Sequence, residues 1–554
     1  MSEFSNIKIA IVGAGPAGMT ALKEFRSLGY DVTVFEKKDD VGGVWNWSEN
    51  TDATTALKET KLCNNKYSVT LGDYPVPKDF PWVVSAPVLG QYLRSYAHHY
   101  TLHSNIEFNK TVTSLSRDHQ TKKWLLHLSD ESHPRSFDKI AWATGCFVQP
   151  KTLTLPNEHI FTGEIVHSSR ARDIASFKGK NVIVLGIGNT AADITSALVQ
   201  HGAGEVYFSH RRGAKIISPV DAKGLPTDLM LSTGMVPITW FMQKYCLGFY
   251  GWVMDQALVK NFTDAWGAPA KEWNLEGPSL KHGQHVVVCS TDLVPNIKSG
   301  RVSSVPGIKR IAGPRSVEFD DGQAVENIDA IIMCIGYQDD LSLLDEAIEF
   351  APAEKGAPRL PKLYMNMFPP KYHDSFAYLS LTHLLGPQIP GRELVGLALP
   401  QIWAGRSPLP SVEVMNEWIV KHQSWIRGRI ANATPNGNGY QEVDNGDWSY
   451  FMHESAGTGL YEVCLLFFLQ SQILEKGWKW LTEMQYIGWG AKAWGLWWKD
   501  RELYRAVSNF PISTYTFRLF DMRKRKPYNG AREAVLEAYK DIVESQKLEG
   551  KKTK

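Results

Sequence analysis

Two glycine-rich turns stand 173 positions apart, Gly13 to Gly186, and the residues that follow them carry opposite charge. The first, Gly13-Ala-Gly15-Pro16-Ala17-Gly18, comes straight after the apolar run Ile9–Val12, and Glu36 ends the run Asp31–Glu36, 21 residues after Gly15. The second, Gly186-Ile-Gly188-Asn189-Thr190-Ala191, comes after Val182–Leu185, and the run Val206–Ser209 leads into Arg211 and Arg212. This is the spacing of a turn that binds a pyrophosphate. The first glycine permits the tight turn between strand and helix. The second lets the backbone approach the ligand, and the third position must be small for the helix to pack on the strand. The pyrophosphate then meets the free N–H groups and positive dipole end of a helix. A carboxylate about 20 residues on accepts hydrogen bonds from ribose hydroxyls, whereas an arginine fork suits a ribose 2′-phosphate. Glu36 fits the first role. Arg211 and Arg212, with the Ser209 hydroxyl, fit the second. A chain with one site of each kind is read as a flavoprotein that takes electrons from NADPH.

These residues need a particular scaffold. The expected class is α/β, with two Rossmann-like dinucleotide-binding domains, the NADPH domain inserted into the FAD domain, and a C-terminal helical region. The first βαβ unit covers about 7–40. Helical spacing of Tyr92, Leu93, Tyr96 and Ala97 predicts a helix over 91–100, and Ile106–Phe108 and Trp124–Leu128 alternate like strands. Ile140–Gly145, with Thr144 and Gly145 at its end, is a buried strand running into a glycine turn. Ile328–Tyr337, ending in Gly336 and Tyr337, repeats that pattern. The two endings bracket the insertion. The boundaries drawn are 1–154 for the first part of the FAD domain, 155–328 for the NADPH domain and 329–554 for the return. Glu533–Val543 reads as an amphipathic helix. No internal repeat is visible beyond the two nucleotide units.

Composition narrows the function. Of 554 residues 43% are apolar and 21% charged, as in a globular protein large enough for several cores. A net charge of +2 gives no electrostatic footprint for nucleic acid. The six cysteines are scattered without a C-x-x-C pair, so neither a zinc ribbon nor a redox-active disulfide is suggested; no metal is expected, and the cytoplasm, a reducing compartment, fits best. The chain opens without a signal-peptide pattern, and its nearest approach to a membrane span, Val463–Leu469, is too short. Trp478, Trp480, Trp489, Trp494, Trp497 and Trp498 crowd a lysine-containing stretch. Packing over the core is the favoured reading, with peripheral membrane contact as the alternative. Homo-oligomerisation is left open.

Further motifs carry a family resemblance. Glu36-Lys37 followed by Gly42-Gly43-Val44-Trp45 resembles a segment of the flavin-containing monooxygenases that lies against FAD. Phe161-Thr-Gly163-Glu-Ile-Val-His167 is similar to that family's linker before its NADPH domain. Gly186–Asp193, Ser209–Gly213, Cys334–Tyr337, Pro511–Leu519 and Gly530–Ala534 are similar to further family segments, so the likeness covers nearly the whole chain. The resemblance implies FAD reduced by NADPH, O2 added to the reduced flavin as a C4a-hydroperoxide, and one oxygen passed to a small-molecule substrate with a soft nucleophile, an amine nitrogen or thioether sulfur. The protein's task would be to keep the peroxide dry and supplied with donors.

The resemblance also marks departures. The family's flavin-side Asn stands three residues before a lysine, but three before Lys66 is Cys63. Asn64 is taken as the catalytic donor, with Asn65 second, against the alternative that both cap a turn. His167 is expected to hydrogen-bond a backbone turn at the domain junction or to couple nicotinamide position to domain motion. Baeyer–Villiger relatives have Trp four residues after this histidine and this chain has Ala171, which disfavours ketone oxygenation. An NADPH oxidase releasing H2O2 is the other alternative. The substrate pocket is expected from the stretch after Asp73, residues 220–275 and the C-terminal layer including Leu381–Gly386. The usual Glu-Leu-Gln-x-Arg segment reads Glu393-Leu-Val395-Gly-Leu397, which suggests an altered pocket rim.

Overall fold

The computed structural model describes residues 3–49, 53–280, 287–338, 341–352, 359–382, 386–432, 441–460, 496–520 and 524–552. Lys8–Val12 is apolar at four consecutive positions, and all four are buried. Such a run, without alternation, belongs in a parallel sheet covered on both faces. It lies in the middle of a five-stranded parallel sheet ordered Phe376–Tyr378, Lys139–Trp142, Lys8–Val12, Asp31–Phe35, Ile106–Glu107. The helix Pro16–Leu28 connects the third strand to the fourth, with proline in its first turn and Gly29 at φ 85° ending it.

The second sheet has the same design. Its parallel order is Glu164–His167, Ala330–Met333, Val182–Leu185, Val206–Ser209, Val302–Val305, with the helix Asn189–Gln200 after the central strand. Each unit then inserts a three-stranded antiparallel sheet before its return strand. In the first it is Val112–Asp118, Lys123–Leu128 and Arg135–Phe137; in the second, Ile308–Gly313, Ser316–Phe319 and Ala324–Val325. The duplication therefore reaches well past the glycine turns. Sequence missed this because strands of two to seven residues leave no shared pattern once surface positions diverge.

The chain leaves the first sheet after Lys139–Trp142 and comes back as Phe376–Tyr378, which pairs directly with that strand. The outgoing and returning segments, Gln149–Pro150 and Tyr337–Gln338, form a short antiparallel ribbon. Ala330–Met333 pairs with strands of the second sheet only, so the division placed at 328/329 moves to the C-terminal side of Met333. The helix expected over 91–100 runs Ala86–His99, beginning earlier because Pro87 sits comfortably in its first turn. The terminal amphipathic pattern forms Ala531–Lys552.

After the return, the helix Gln388–Trp403 is buried along nearly all its length and packs on Pro16–Leu28. This corrects the expectation for residues 393–397. Val395 and Leu397 are 2% and 0% exposed core residues, and Glu393 accepts the Gly72 N–H at 2.9 Å, so the segment is interior rather than a pocket rim. Arg518 ties this layer down by pairing with Glu24, Glu393 and Asp73 at 3.1, 3.1 and 3.2 Å, and Lys23 joins Glu24 and Asp73. Three carboxylates around two cations, all nearly dry, form a network in which loss of any one partner leaves a buried charge. Of the six clustered tryptophans, Trp478, Trp480, Trp489 and Trp494 lie outside the described residues, as do Val463–Leu469 and residues 383–385; Trp497 and Trp498 stack with ring centroids 5.4 Å apart.

Candidate active site

The first glycine turn is locked by its neighbours. Gly13 has φ +106°, and a Cβ there would lie 2.6 Å from the Ala143 carbonyl oxygen of the return strand. Its N–H donates to Phe35 O at 2.8 Å. Gly15 caps the helix, Pro16 follows without an N–H to satisfy, and Ala17 and Gly18 are buried against the strand. Glu36 is 5% exposed. Its Oε2 accepts the Ala14 N–H at 2.7 Å and its Oε1 the Lys38 N–H at 2.9 Å, which fixes the carboxylate beside the turn. Each oxygen keeps a lone pair for a ribose hydroxyl.

A second wall of this site is the turn Gly43-Val44-Trp45. The Gly42 N–H donates to Ala14 O at 3.0 Å, and a Cβ on Gly43 would stand 3.1 Å from Gly15 Cα. Two bare backbones thus face each other across the pyrophosphate-binding turn, a cradle that side chains would fill; the residues fit FAD at this end. Lys37, expected here, is exposed. The neighbouring Lys38 does the holding, with Nζ donating to Gly43 O and Asn46 O at 2.7 Å each. Burial brings its ammonium down to about 8. Thr144 is exposed at the end of the return strand, and the next carbonyl, Gly145 O, accepts the Tyr378 hydroxyl at 3.4 Å.

The second turn repeats the first. Gly186 has φ +133°, and a Cβ would collide with Cys334 O, the counterpart of Ala143 O. Gly188 caps the helix and has open space on its Cβ side. Asn189 and Thr190 are exposed and Ala191 is buried. Arg211 and Arg212 are both exposed, with the Arg211 stem laid over Gly307. Ser209 does not join them. It is 0% exposed and donates its hydroxyl to Pro306 O at 2.7 Å, because as the last residue of its strand it points inward. The two arginines remain to meet a 2′-phosphate, and the residues fit NADPH.

The units meet where Ser48 and residues 53–65 of the first lie on the second. Arg172 donates to Ser48 O and Ala53 O, Thr60 Oγ1 to Asp193 Oδ2 at 2.9 Å, and Leu57 enters the second unit's core. Burial raises the Asp193 carboxyl to about 7, against the opposing Thr60 hydrogen bond. His167 sits at the ribbon with Nε2 3.1 Å from Gly336 O and Nδ1 3.1 Å from the Ser169 N–H, which makes it a neutral imidazole donating from Nε2. Burial keeps its protonation below the usual range. Tyr337 stands edge-on to it with centroids 5.4 Å apart.

The two asparagines separate here. Asn65 is fully buried and its Oδ1 accepts the Tyr67 and Ser68 N–H groups, so it caps a 3-10 turn. Asn64 is half-buried and its Nδ2 donates to Asp228 Oδ2 at 3.1 Å across the junction. Asp228 also takes the Asn65 N–H and Nδ2, both at 3.0 Å, and burial raises its carboxyl. Sequence gave no sign of Asp228, which falls in the 220–275 stretch with no recognisable pattern. Asp193 was in view, but nothing in its spacing assigned it this contact, and Lys38 was passed over for its neighbour Lys37. Among the described residues no cluster of three or more His, Cys, Asp or Glu could hold a metal, and no helix is long and apolar enough to cross a membrane.

Two parallel-sheet nucleotide units, one with a buried carboxylate beside its glycine turn and one with paired arginines, packed together along residues 53–65, have the architecture of a two-dinucleotide flavoprotein oxidoreductase. The chain belongs to the flavin-binding monooxygenase-like family, whose sequence profile matches residues 6–454. It is an NADPH-dependent flavin monooxygenase with FAD and NADP(H) as cofactors. It is 28% identical over 548 residues to Monooxygenase aurF of Gibberella zeae, covering 96% of this chain and 97% of that protein. It is 28% identical over 426 residues to dimethylaniline monooxygenase [N-oxide-forming] 2 of Oryctolagus cuniculus, covering 75% and 76%. The solved structure of OTEMO in complex with FAD and NADP superimposes with TM-score 0.61 at 16% identity, over 82% of this chain and 98% of that one, which speaks to the fold.

Proposed function

We propose that this enzyme transfers one oxygen of O2 to a soft nucleophile, an amine nitrogen or a thioether sulfur. In this reading the first unit, residues 1–154 with the return after Met333, holds FAD through Gly13, Gly15, Glu36 and the Gly43–Trp45 turn. The second unit holds NADPH through Gly186, Gly188, Asn189, Arg211 and Arg212. Bound FAD supplies the hydride acceptor and the centre that activates O2. The carrying observation is Asn64, a half-buried amide in the wall between the units whose orientation is set by Asp228. A fixed donor at a half-buried junction favours oxygen transfer over release of peroxide. Glu36 retains the adenosine end of one cofactor, Arg211 and Arg212 select the phosphorylated ribose of the other, and Arg172 with Thr60 closes the junction.

Nitrogen or sulfur is favoured over a ketone by Ala171, a buried small residue where the ketone-oxidising relatives have Trp. The N-oxide-forming relative points the same way. The test is product analysis by mass spectrometry on tertiary amines, thioethers and cyclic ketones with NADPH. N-oxides or sulfoxides are expected. Esters or lactones from the ketones alone, or H2O2 equal to NADPH consumed with every substrate, would overturn the reading.

A further inference from the structure

His210 is 2% exposed, yet it stands directly between the strand Val206–Ser209 and the exposed pair Arg211 and Arg212. Its backbone N–H donates to Val305 O at 3.0 Å, which carries the parallel pairing with Val302–Val305 one residue past the strand. Both ring nitrogens are engaged. Nδ1 accepts the Gly213 N–H at 3.3 Å, and Nε2 lies 2.9 Å from Ser304 Oγ. Ser304 spends its one proton on Trp273 O at 2.6 Å, so its oxygen is the acceptor and the imidazole donates from Nε2. The ring is therefore neutral, and burial, which brings its protonation down to about 4, keeps it so.

Two residues lie between His210 and Gly213, and they are the two arginines. The Nδ1 contact thus closes Arg211 and Arg212 into one turn. The Nε2 chain fastens that turn to the edge strand Val302–Val305 and, through Ser304, to the segment Lys271–Trp273. Gly213 completes the closure at φ +68°, where a Cβ would stand 2.8 Å from Glu276 O and 2.9 Å from Asn274 O. We propose that His210 is a positioning residue for cofactor choice: it holds the Arg211–Arg212 turn in the shape that receives a ribose 2′-phosphate, and so sets the preference for NADPH over NADH. The inference rests on the reading of Arg211 and Arg212 as the 2′-phosphate pair and adds the device that makes two water-exposed side chains selective. Residues of an open loop lose backbone freedom when they grip a phosphate, whereas a turn already closed has lost it on folding. An open turn carries the same charge and grips less well. The histidine itself is buried, so its effect passes through the arginines. Nothing in the spacing of Ser209–Gly213 assigns it this part, because its partners Ser304 and Trp273 are supplied by the fold.

The test titrates FAD-loaded full-length protein with adenosine 2′,5′-bisphosphate and with AMP by calorimetry, and follows anaerobic flavin reduction at varied NADPH and NADH. His210→Ala should weaken adenosine 2′,5′-bisphosphate roughly tenfold, about the share of one charge-assisted hydrogen bond, and raise the half-saturating NADPH concentration by the same factor. AMP binding, the limiting rate of reduction and the NADH kinetics should not change. His210→Asn keeps an acceptor for the Gly213 N–H and should stay near the parent, which keeps the test decisive if the Ala variant folds poorly. In the Arg211→Ala/Arg212→Ala background, His210→Ala should have no further effect, since the group it acts through is gone. A His210→Ala variant indistinguishable from the parent would overturn the proposal. So would equal losses toward AMP and NADH, a further loss in the background without arginines, or an Asn variant no better than Ala. If the double arginine variant itself still favours adenosine 2′,5′-bisphosphate over AMP, the assignment of the 2′-phosphate pair fails, and this inference fails with it.

Discussion

The two nucleotide units share a plan and differ in how their charged reader is kept. In both, the fingerprint strand lies between a return strand and a charge-bearing strand, and the return strand's carbonyl, Ala143 O or Cys334 O, presses on the first glycine. Glu36, however, is 5% exposed and held by two backbone N–H groups, whereas Arg211 and Arg212 stand in water. A buried, pre-oriented carboxylate suits a cofactor that stays through many turnovers, since its ordering cost is met once, on folding. Exposed guanidinium groups suit a cofactor that must be captured and released each cycle, since they attract phosphate from a distance and give it up again. Residence is written in burial rather than in the glycine motif, which is common to both.

The sharpest way to break the comparison is at the glycines. Gly186→Ala should leave a yellow, folded protein that NADPH no longer reduces, while Gly13→Ala should yield protein without flavin and with lowered thermal stability. A strained residue at positive φ pressed against a carbonyl costs on the order of 1–3 kcal/mol before any shift of the backbone. Flavin absorbance and anaerobic reduction separate the two outcomes. If both variants lost flavin equally, the units would not be independent sites. Glu36→Gln comes next. It keeps the shape and loses the charge that two N–H donors address, so FAD affinity should fall by roughly 1.5–3 kcal/mol, the worth of hydrogen bonds to a charged group. Equilibrium dialysis of apoprotein with FAD measures it, and an unchanged affinity would show that Glu36 only braces the turn.

A smaller effect concerns the seam between the units. The Asp193 carboxyl is raised by burial from 3.8 to about 7, so the folded state binds its proton more tightly than the unfolded chain. Its contribution to stability is complete below about 4 and is lost as the pH climbs through about 7, at no more than about 1.4 kcal/mol per pH unit. The melting temperature of the parent should therefore decline across that window more steeply than that of Asp193→Asn. Parallel curves would contradict a buried carboxyl at the seam. The smallest effect sorts the two asparagines. Asn65→Ala removes a cap and should cost about 1 kcal/mol of stability, whereas Asn64→Ala should leave melting nearly unchanged and raise the share of NADPH that ends as H2O2. The reverse pattern would exchange their roles.

Much of this organisation could be read before any coordinates, and for identifiable reasons. Continuous apolar runs such as Ile9–Val12 and Val182–Leu185 specify buried parallel strands, and glycines at fixed offsets specify the turns. The bracketing endings at Gly145 and Gly336 point to the insertion, and the paired Gln149–Pro150 and Tyr337–Gln338 segments mark where the chain crosses. Contacts made by long-range proximity were hidden. Asp228 meets Asn64 from 164 residues away, Asp193 meets Thr60, and Glu393 meets Arg518. Side-chain direction was hidden as well: neighbouring Lys37 and Lys38 look alike in sequence, and only the backbone decides which one turns inward. Ser209 is the same error in reverse, a hydroxyl at the right spacing that faces the core.

The central claim is that burial and sign of charge divide the labour between a retained flavin and an exchanging NADPH. Its most direct test is stopped-flow reduction of the bound flavin by NADPH and by NADH, in the parent and in the Arg211→Ala/Arg212→Ala double variant. The parent should strongly prefer NADPH. In the double variant that preference should be lost while flavin content and the rate with NADH are unchanged. A parent that reduces as fast with NADH, or a double variant that keeps its preference, would contradict it.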